Sequence, residues 1–184
     1  DADNKKALEL AQQTIDTFPS KFERAYNEGA SKKLGLETSE TDDVTLMTDL
    51  LDTMADQHAD FTLVFRRLSN LDVEPGPEDD TVRELFDDFT ALDSWVSCWR
   101  ARLKRQRGDP SLRCENMASV NPAYIPRNHR VEEVIRAAED HGDLAPFYQL
   151  HEILRHPYHE QPHHSAFQTP PRPEEVVRAT FCGT

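Results

Sequence analysis

Leu8, Ala11, Ile15, Phe18 and Phe22 recur at alternating spacings of three and four, which places them on one face of a helix. Pro19 lies inside that stripe. A proline there removes a backbone donor and crowds the preceding turn, so a kink or break is expected at this point. Gly35 is suited to a left-handed C-terminal cap and predicts the end of the helix. Thr41, Asp42 and Asp43 supply caps for a second helix that buries Met47, Leu50, Leu51 and Met54. Asp60 can cap a third, with Phe61, Val64, Phe65 and Leu68 as its inner face. Residues 70–78, with Pro75, Gly76 and Pro77, form a loop.

The strongest periodicity predicts one long helix over residues 80–106, with Val82, Leu85, Phe89, Leu92, Val96, Trp99 and Leu103 as its apolar stripe. Acidic residues crowd its start, and Arg100, Arg102, Lys104, Arg105 and Arg107 crowd its end. Both suit the helix dipole, which accounts for this basic cluster without a phosphate ligand. Gly108, Asp109 and Pro110 end the helix. From Asn121 onward prolines and histidines dominate, with two short helices. Asn128 can cap one that buries Val131, Val134, Ile135 and Ala138. Asp143 can cap the other, with Pro146 near its start and Phe147, Leu150 and Leu154 inside. After Pro157 an extended segment is expected to wrap over another surface. No strand pattern and no internal repeat stands out. The fold class is all-α: an irregular helical bundle over residues 1–110, a loop and two short helices over 111–157, and an extended Pro/His-rich C-terminal tail over 158–184.

Composition narrows the function classes. In 184 residues, 37% are hydrophobic and 30% charged, as in an ordinary folded chain. A formal net charge of −13 argues against nucleic acid as a partner, since phosphate binding needs a basic stripe. No apolar run approaches the ~20 residues that a membrane-spanning helix needs. Cys98, Cys114 and Cys182 are too widely spaced for a secreted disulfide framework, which favours a reducing interior. The chain opens at Asp1 with a helical pattern almost at once, so a processed or truncated product is expected.

Candidate chemistry is sparse. The six glycines are scattered, and none is two residues from another, so no phosphate-binding loop can be built from them. Asp60-Phe61-Thr62 and Asp88-Phe89-Thr90 superficially resemble a metal-binding Asp-Phe-Gly, but both sit in helical patterns with the phenylalanines at core positions. His151, His156, His159, His163 and His164 are dense, yet Pro162 interrupts the one helical metal spacing, between His159 and His163, and a solvated polar tail is expected instead. Glu132/Glu133 and Glu174/Glu175 suit helix starts, and Trp95 and Trp99, one turn apart, suit a core contact. Cys98 and Cys114 belong to packed, inert surroundings. Cys182, third from the end, could reach a partner without disturbing a core. On physical grounds an incidental thiol and a redox role remain open alternatives.

Several words of the sequence go further. Lys33-Leu34-Gly35-Leu36 follows Tyr26. Ala59-Asp60-Phe61-Thr62 precedes Phe65-Arg66. Asn121-Pro122-Ala123-Tyr124-Ile125-Pro126-Arg127-Asn128-His129 runs into Val131-Glu132-Glu133, and the chain closes on Thr180-Phe181-Cys182-Gly183-Thr184. In this order they resemble the carboxy-terminal part of the selenoprotein O, or YdiU-like, family over nearly the whole chain. The sequence departs from the family at Phe18-Pro19, within a normally uninterrupted helix, and at Ala30, where methionine is common.

The resemblance implies a parent with a kinase fold that transfers AMP from ATP to Ser, Thr or Tyr hydroxyls of proteins, using Mg or Mn. The ATP-binding and metal-binding residues would lie in an upstream kinase-like domain absent from this chain, so no catalytic, cofactor-binding or metal-binding residue is assigned here. The partners implied are that domain and the parent's protein substrates. The compartment would be cytoplasmic in a bacterium, or mitochondrial in a eukaryotic relative. The resemblance further suggests that Cys182 pairs reversibly with a cysteine of the kinase-like domain. The competing reading, from a different class, is an independent helical protein-interaction module with no enzymatic role.

Overall fold

The computed structural model describes residues 2–179, and among these there is no strand. Its first element, α1 (Ala2–Lys33), passes through Pro19 without the expected break. The proline leaves the carbonyl one turn back, on Ile15, without its usual donor. That stretch of α1 is exposed on every side, so water can reach the carbonyl. The hydroxyls of Thr14, Thr17 and Ser20 also bond nearby carbonyls at 2.9, 2.9 and 3.1 Å. The helix ends as expected at Gly35, with φ +69° and the Leu36 N–H donating to the Ser31 carbonyl at 2.8 Å. A Cβ at Gly35 would lie 2.7 Å from Met117 Sδ and 2.8 Å from Arg113 Cγ, so a side chain there would also collide with α6 (Pro110–Val120).

α2 (Asp43–Asp56) buries Met47, Leu50 and Met54, while Leu51 is partly covered. α3 (Phe61–Leu68) is capped by Asp60, which accepts the Leu63 N–H at 2.8 Å. Val64, Phe65 and Leu68 enter the core, whereas Phe61 stays half exposed.

The long helix over 80–106 is two helices, α4 (Glu78–Arg83) and α5 (Thr90–Leu103). Local hydrogen bonds favour the turn between them. Asp88 accepts the Thr90 N–H at 2.9 Å, and its own N–H donates to Gln57 at 3.0 Å. Arg83 folds back to grip Asp93 through two bonds of 2.8 and 3.0 Å. Val82, Phe86 and Leu92 still reach the core on either side of the turn. Phe89 is half exposed, so neither Asp-Phe-Thr triplet has its phenylalanine in the core.

α5 packs on α2. Trp95 and Trp99 are buried and stacked at 5.9 Å. Their indole N–H groups donate to the carbonyls of Leu46 and Leu34 at 2.7 and 2.9 Å. α6 has no counterpart in the periodicity of the sequence. Asp109-Pro110 is both a stop and a start: Asp109 accepts the Ser111 N–H at 2.9 Å and Pro110 opens the helix.

α7 (Asn128–His141) and α8 (Ala145–Leu154) pack together. Arg127, not Asn128, is the N-cap of α7, and it makes no side-chain cap. Val131, Val134 and Ala138 are only partly covered and Ile135 is exposed, so α7 buries His129 rather than the expected apolar face. In α8, Asp143 accepts the Ala145 N–H at 2.9 Å, and Leu150 and Ile153 are buried. Phe147, expected inside, is half exposed. Ile153 joins Ala123 and Tyr124 in a small second core. Beyond α8 the described chain forms two short 3-10 turns, Pro162–Phe167 and Pro173–Glu175. Among the described residues no helix is long and apolar enough to cross a membrane.

Candidate functional site

The stretch from Asn121 to His129 is where the separate words of the sequence meet. Asn121, fully buried, donates to the Lys33 carbonyl at 3.0 Å and to Ser69 Oγ at 3.2 Å, and accepts from Lys33 Nζ at 3.1 Å. Arg66, from α3, donates to the carbonyls of Ala118 and Asn121 and pairs with Glu160 at 2.8 Å. The N–H groups of Ala123 and Tyr124 both donate to the Pro157 carbonyl, at 2.8 and 3.1 Å. Tyr124 then donates its hydroxyl to the Gln161 carbonyl at 2.9 Å. Arg127 closes the brace on Asp60 with bonds of 2.7 and 3.1 Å. Burial works to raise the Asp60 pKa, but the Arg127 guanidinium and the Leu63 N–H override it and hold the carboxyl below its ordinary range. Burial also pushes the Lys33 ammonium down; it lies over the rings of Phe61 and Phe65, 5.6 and 5.2 Å from their centroids. The polar groups of this junction are thus largely spent on holding α1, α3, α6 and the chain after α8 together.

The basic cluster at the end of α5 is spent in the same way. Arg100 grips Asp79 through bonds of 2.7 and 2.8 Å, and Arg102 grips Asp43 through bonds of 2.7 and 3.1 Å. Arg100 holds the Asp79 carboxyl below its ordinary range. Exposed pairs join Lys104 to Glu74 at 2.8 Å and Arg105 to Glu40 at 2.7 Å. Arg100 and Arg102 stand in the last turn of α5, as the dipole argument expects, and their guanidiniums are in addition committed to tertiary pairs. Arg113 is buried and among the described residues has no carboxylate partner; it donates to the Leu71 carbonyl at 2.6 Å and stands over the Trp99 ring.

Arg113, Arg127 and Arg130 each leave Nε without a partner among the described residues, but His129 departs furthest from this internal satisfaction. It is 4% exposed, and among the described residues neither ring nitrogen has a hydrogen-bond partner. Burial, and after it the adjacent Arg130, push its pKa below the ordinary histidine value. No sequence signal marked it as more than the last residue of a motif.

Of the candidates raised by sequence, Cys182 lies outside the described residues. Cys98, expected to be packed, is exposed on α5, and Cys114 is partly covered. His156 and His159 stack at 5.9 Å, but among the described residues no three His, Cys, Asp or Glu side chains are grouped to hold a metal. Glu132 and Glu133 pair with Arg136 and Arg130, each at 2.9 Å.

Comparison with known proteins decides the family. The model of the family described as protein adenylyltransferase SelO matches residues 5–155. The chain belongs to this family. Among its curated relatives, the protein nucleotidyltransferase YdiU of Rhodopseudomonas palustris strain BisB5 is 48% identical over 183 residues, covering 100% of this chain and 37% of that protein. The namesakes from R. palustris strain HaA2 and Bradyrhizobium sp. strain BTAi1 are each 46% identical over 182 residues, covering 99% of this chain and 37% of each relative. The chain therefore spans little more than a third of the length of these SelO-family relatives. The matched span includes Asp60, Asn121, Arg127 and His129.

Proposed function

We propose that this chain is the C-terminal helical region of an ATP-dependent protein adenylyltransferase, a structural and regulatory part that is not catalytic alone. The parent moves AMP from ATP to a Ser, Thr or Tyr hydroxyl of a protein and releases pyrophosphate. The observation that carries this reading is the span: the whole chain aligns with only 37% of a protein named as a nucleotidyltransferase. ATP and its divalent metal belong to the parent's kinase-like domain. The residues here do not fit them. Each glycine stands alone, and the arginines at the end of α5 are committed to Asp43 and Asp79. No step of the transfer is assigned to this chain.

What supports a packing role is α1. Leu8, Ile15, Phe18, Phe22 and Tyr26 form one stripe, 48 to 75% exposed, with Phe18, Phe22 and Tyr26 stacked ring on ring at 5.9 and 6.3 Å. The same face continues into Ala30 and Leu34, which pack in the core. An apolar stripe of that length marks a contact surface, and the kinase-like domain of the same protein is its proposed cover. Cys182 belongs to the same reading as a redox latch toward that domain.

Calorimetry of this chain with ATP and magnesium tests the proposal beside an AMP-transfer assay of the full-length protein. No saturable binding to the chain, with transfer by the full-length protein, is the expected result. A micromolar ATP site in the chain would overturn it. A clean monomer with little binding of an apolar-surface dye would favour the independent interaction module.

A further inference from the structure

An open groove of about 1260 Å³ separates α7 from the chain that follows the Pro173–Glu175 turn. Its walls are apolar: Val131 and Ile135 from α7 face Val176 and Val177 from the returning segment. Its rim is acidic. Glu132 and Glu133 are neutralised by arginines, but Glu139 and Glu174 have no cationic partner among the described residues. Glu175 accepts only the Arg172 N–H, at 2.9 Å. Val176 is in an extended conformation, φ −65° and ψ 113°. Among the described residues, the backbone groups of Val176 and Val177 make no hydrogen bond. In the lining lies His129, buried with both ring nitrogens unpartnered. A buried imidazole without a partner is costly, and the exposed backbone at Val176 is open to pairing.

We propose that this groove binds an extended polypeptide segment in which basic and apolar residues alternate. Successive side chains of an extended strand point to opposite sides. One side would set its apolar groups on Ile135 and Val176, and the other its Lys or Arg groups against Glu139, Glu174 and Glu175. The strand's backbone would pair with the free edge at Val176 and Val177, as in recognition by strand addition. It also brings the N–H and C=O groups that His129 lacks. The acidity of the rim and of the chain disfavours acidic peptides. This docking surface stands independently of the AMP-transfer reading.

The test uses the 184-residue chain and a fluorescent peptide of roughly ten residues, the usual span of a long strand, in which lysine alternates with valine. Anisotropy should report saturable binding that weakens with added salt, while the same peptide with glutamate for lysine does not bind. Glu139→Lys combined with Glu174→Lys should weaken binding at least about tenfold, as loss of charge complementarity at a contact does. The control, Asp52→Lys with Asp56→Lys, makes the same change in net charge at exposed positions of α2 and should leave affinity within about twofold. On saturation the His129 ring nitrogen resonances, assigned with His129→Gln, should move. Equal loss in both double variants, equal binding of the glutamate peptide, or unmoved His129 resonances would each overturn the proposal.

Discussion

Asp60 and Arg127, 67 positions apart, meet through two hydrogen bonds of 2.7 and 3.1 Å, and the same carboxylate caps α3 through the Leu63 N–H. One side chain thereby starts a helix and ties it to the turn before α7. The guanidinium is buried and the carboxylate nearly so. Asp60→Ala removes the cap and strands a buried charge, so it should cost about 3–5 kcal/mol in urea melts. Asp60→Asn keeps an acceptor for the cap and should lose less.

The same pair sets an acid limit. Asp60 and Asp79 both have folded-state pKa values below the ordinary carboxylate range, held there by Arg127 and Arg100. A depressed carboxylate contributes stability above its unfolded pKa of about 3.9 and loses it as pH falls through the folded value. The melting temperature should therefore drop as pH falls below about 4. The double variant Asp60→Asn/Asp79→Asn should start lower and show a shallower drop in the same scan.

Gly35 and Gly142 both have positive φ, +69° and +64°, but differ in surroundings. At Gly142 a Cβ meets nothing within 4 Å, so Gly142→Ala should cost only the left-handed backbone penalty, roughly 1–2 kcal/mol. At Gly35 the Cβ collides with Met117 and Arg113. Gly35→Ala should cost clearly more in parallel chemical denaturation.

Thiol labelling followed by peptide mapping should find Cys98 modified faster than Cys114, because Cys98 is exposed whereas Cys114 is partly covered and its sulfur accepts from Arg113 at 3.4 Å. In the full-length protein, the redox proposal expects AMP transfer to rise with a dithiol reductant, and Cys182→Ala to remove that response. An unchanged wild-type rate would make Cys182 incidental.

The elements that were legible in the sequence are those whose caps and periodicity agree. The Gly35 stop, the Asp60 cap and the Met47, Leu50 and Met54 stripe of α2 are examples. Errors arose where one signal has two meanings. Spacings of three and four run on through the turn at Asp88, because Val82 of α4 and Leu92 of α5 serve one core from two helices. Asp109-Pro110 stops one helix and starts the next. The partners of Arg66, Arg100, Arg102 and Arg127 lie between 21 and 94 positions away. No local pattern announces such pairs. The groove beside His129 was hidden for the same reason, since its second wall comes from residues 174–179.

In the proposed function, α1 is a surface made to be covered by the rest of the protein. Amide hydrogen exchange over residues 8–26, compared between this chain alone and the full-length protein, tests it directly. In the chain alone these residues have no tertiary cover, so the amides should exchange quickly through local opening. In the full-length protein the stripe of Leu8, Ile15, Phe18, Phe22 and Tyr26 should be buried, and the same amides should be strongly protected. Equal, rapid exchange in both would contradict a covered α1.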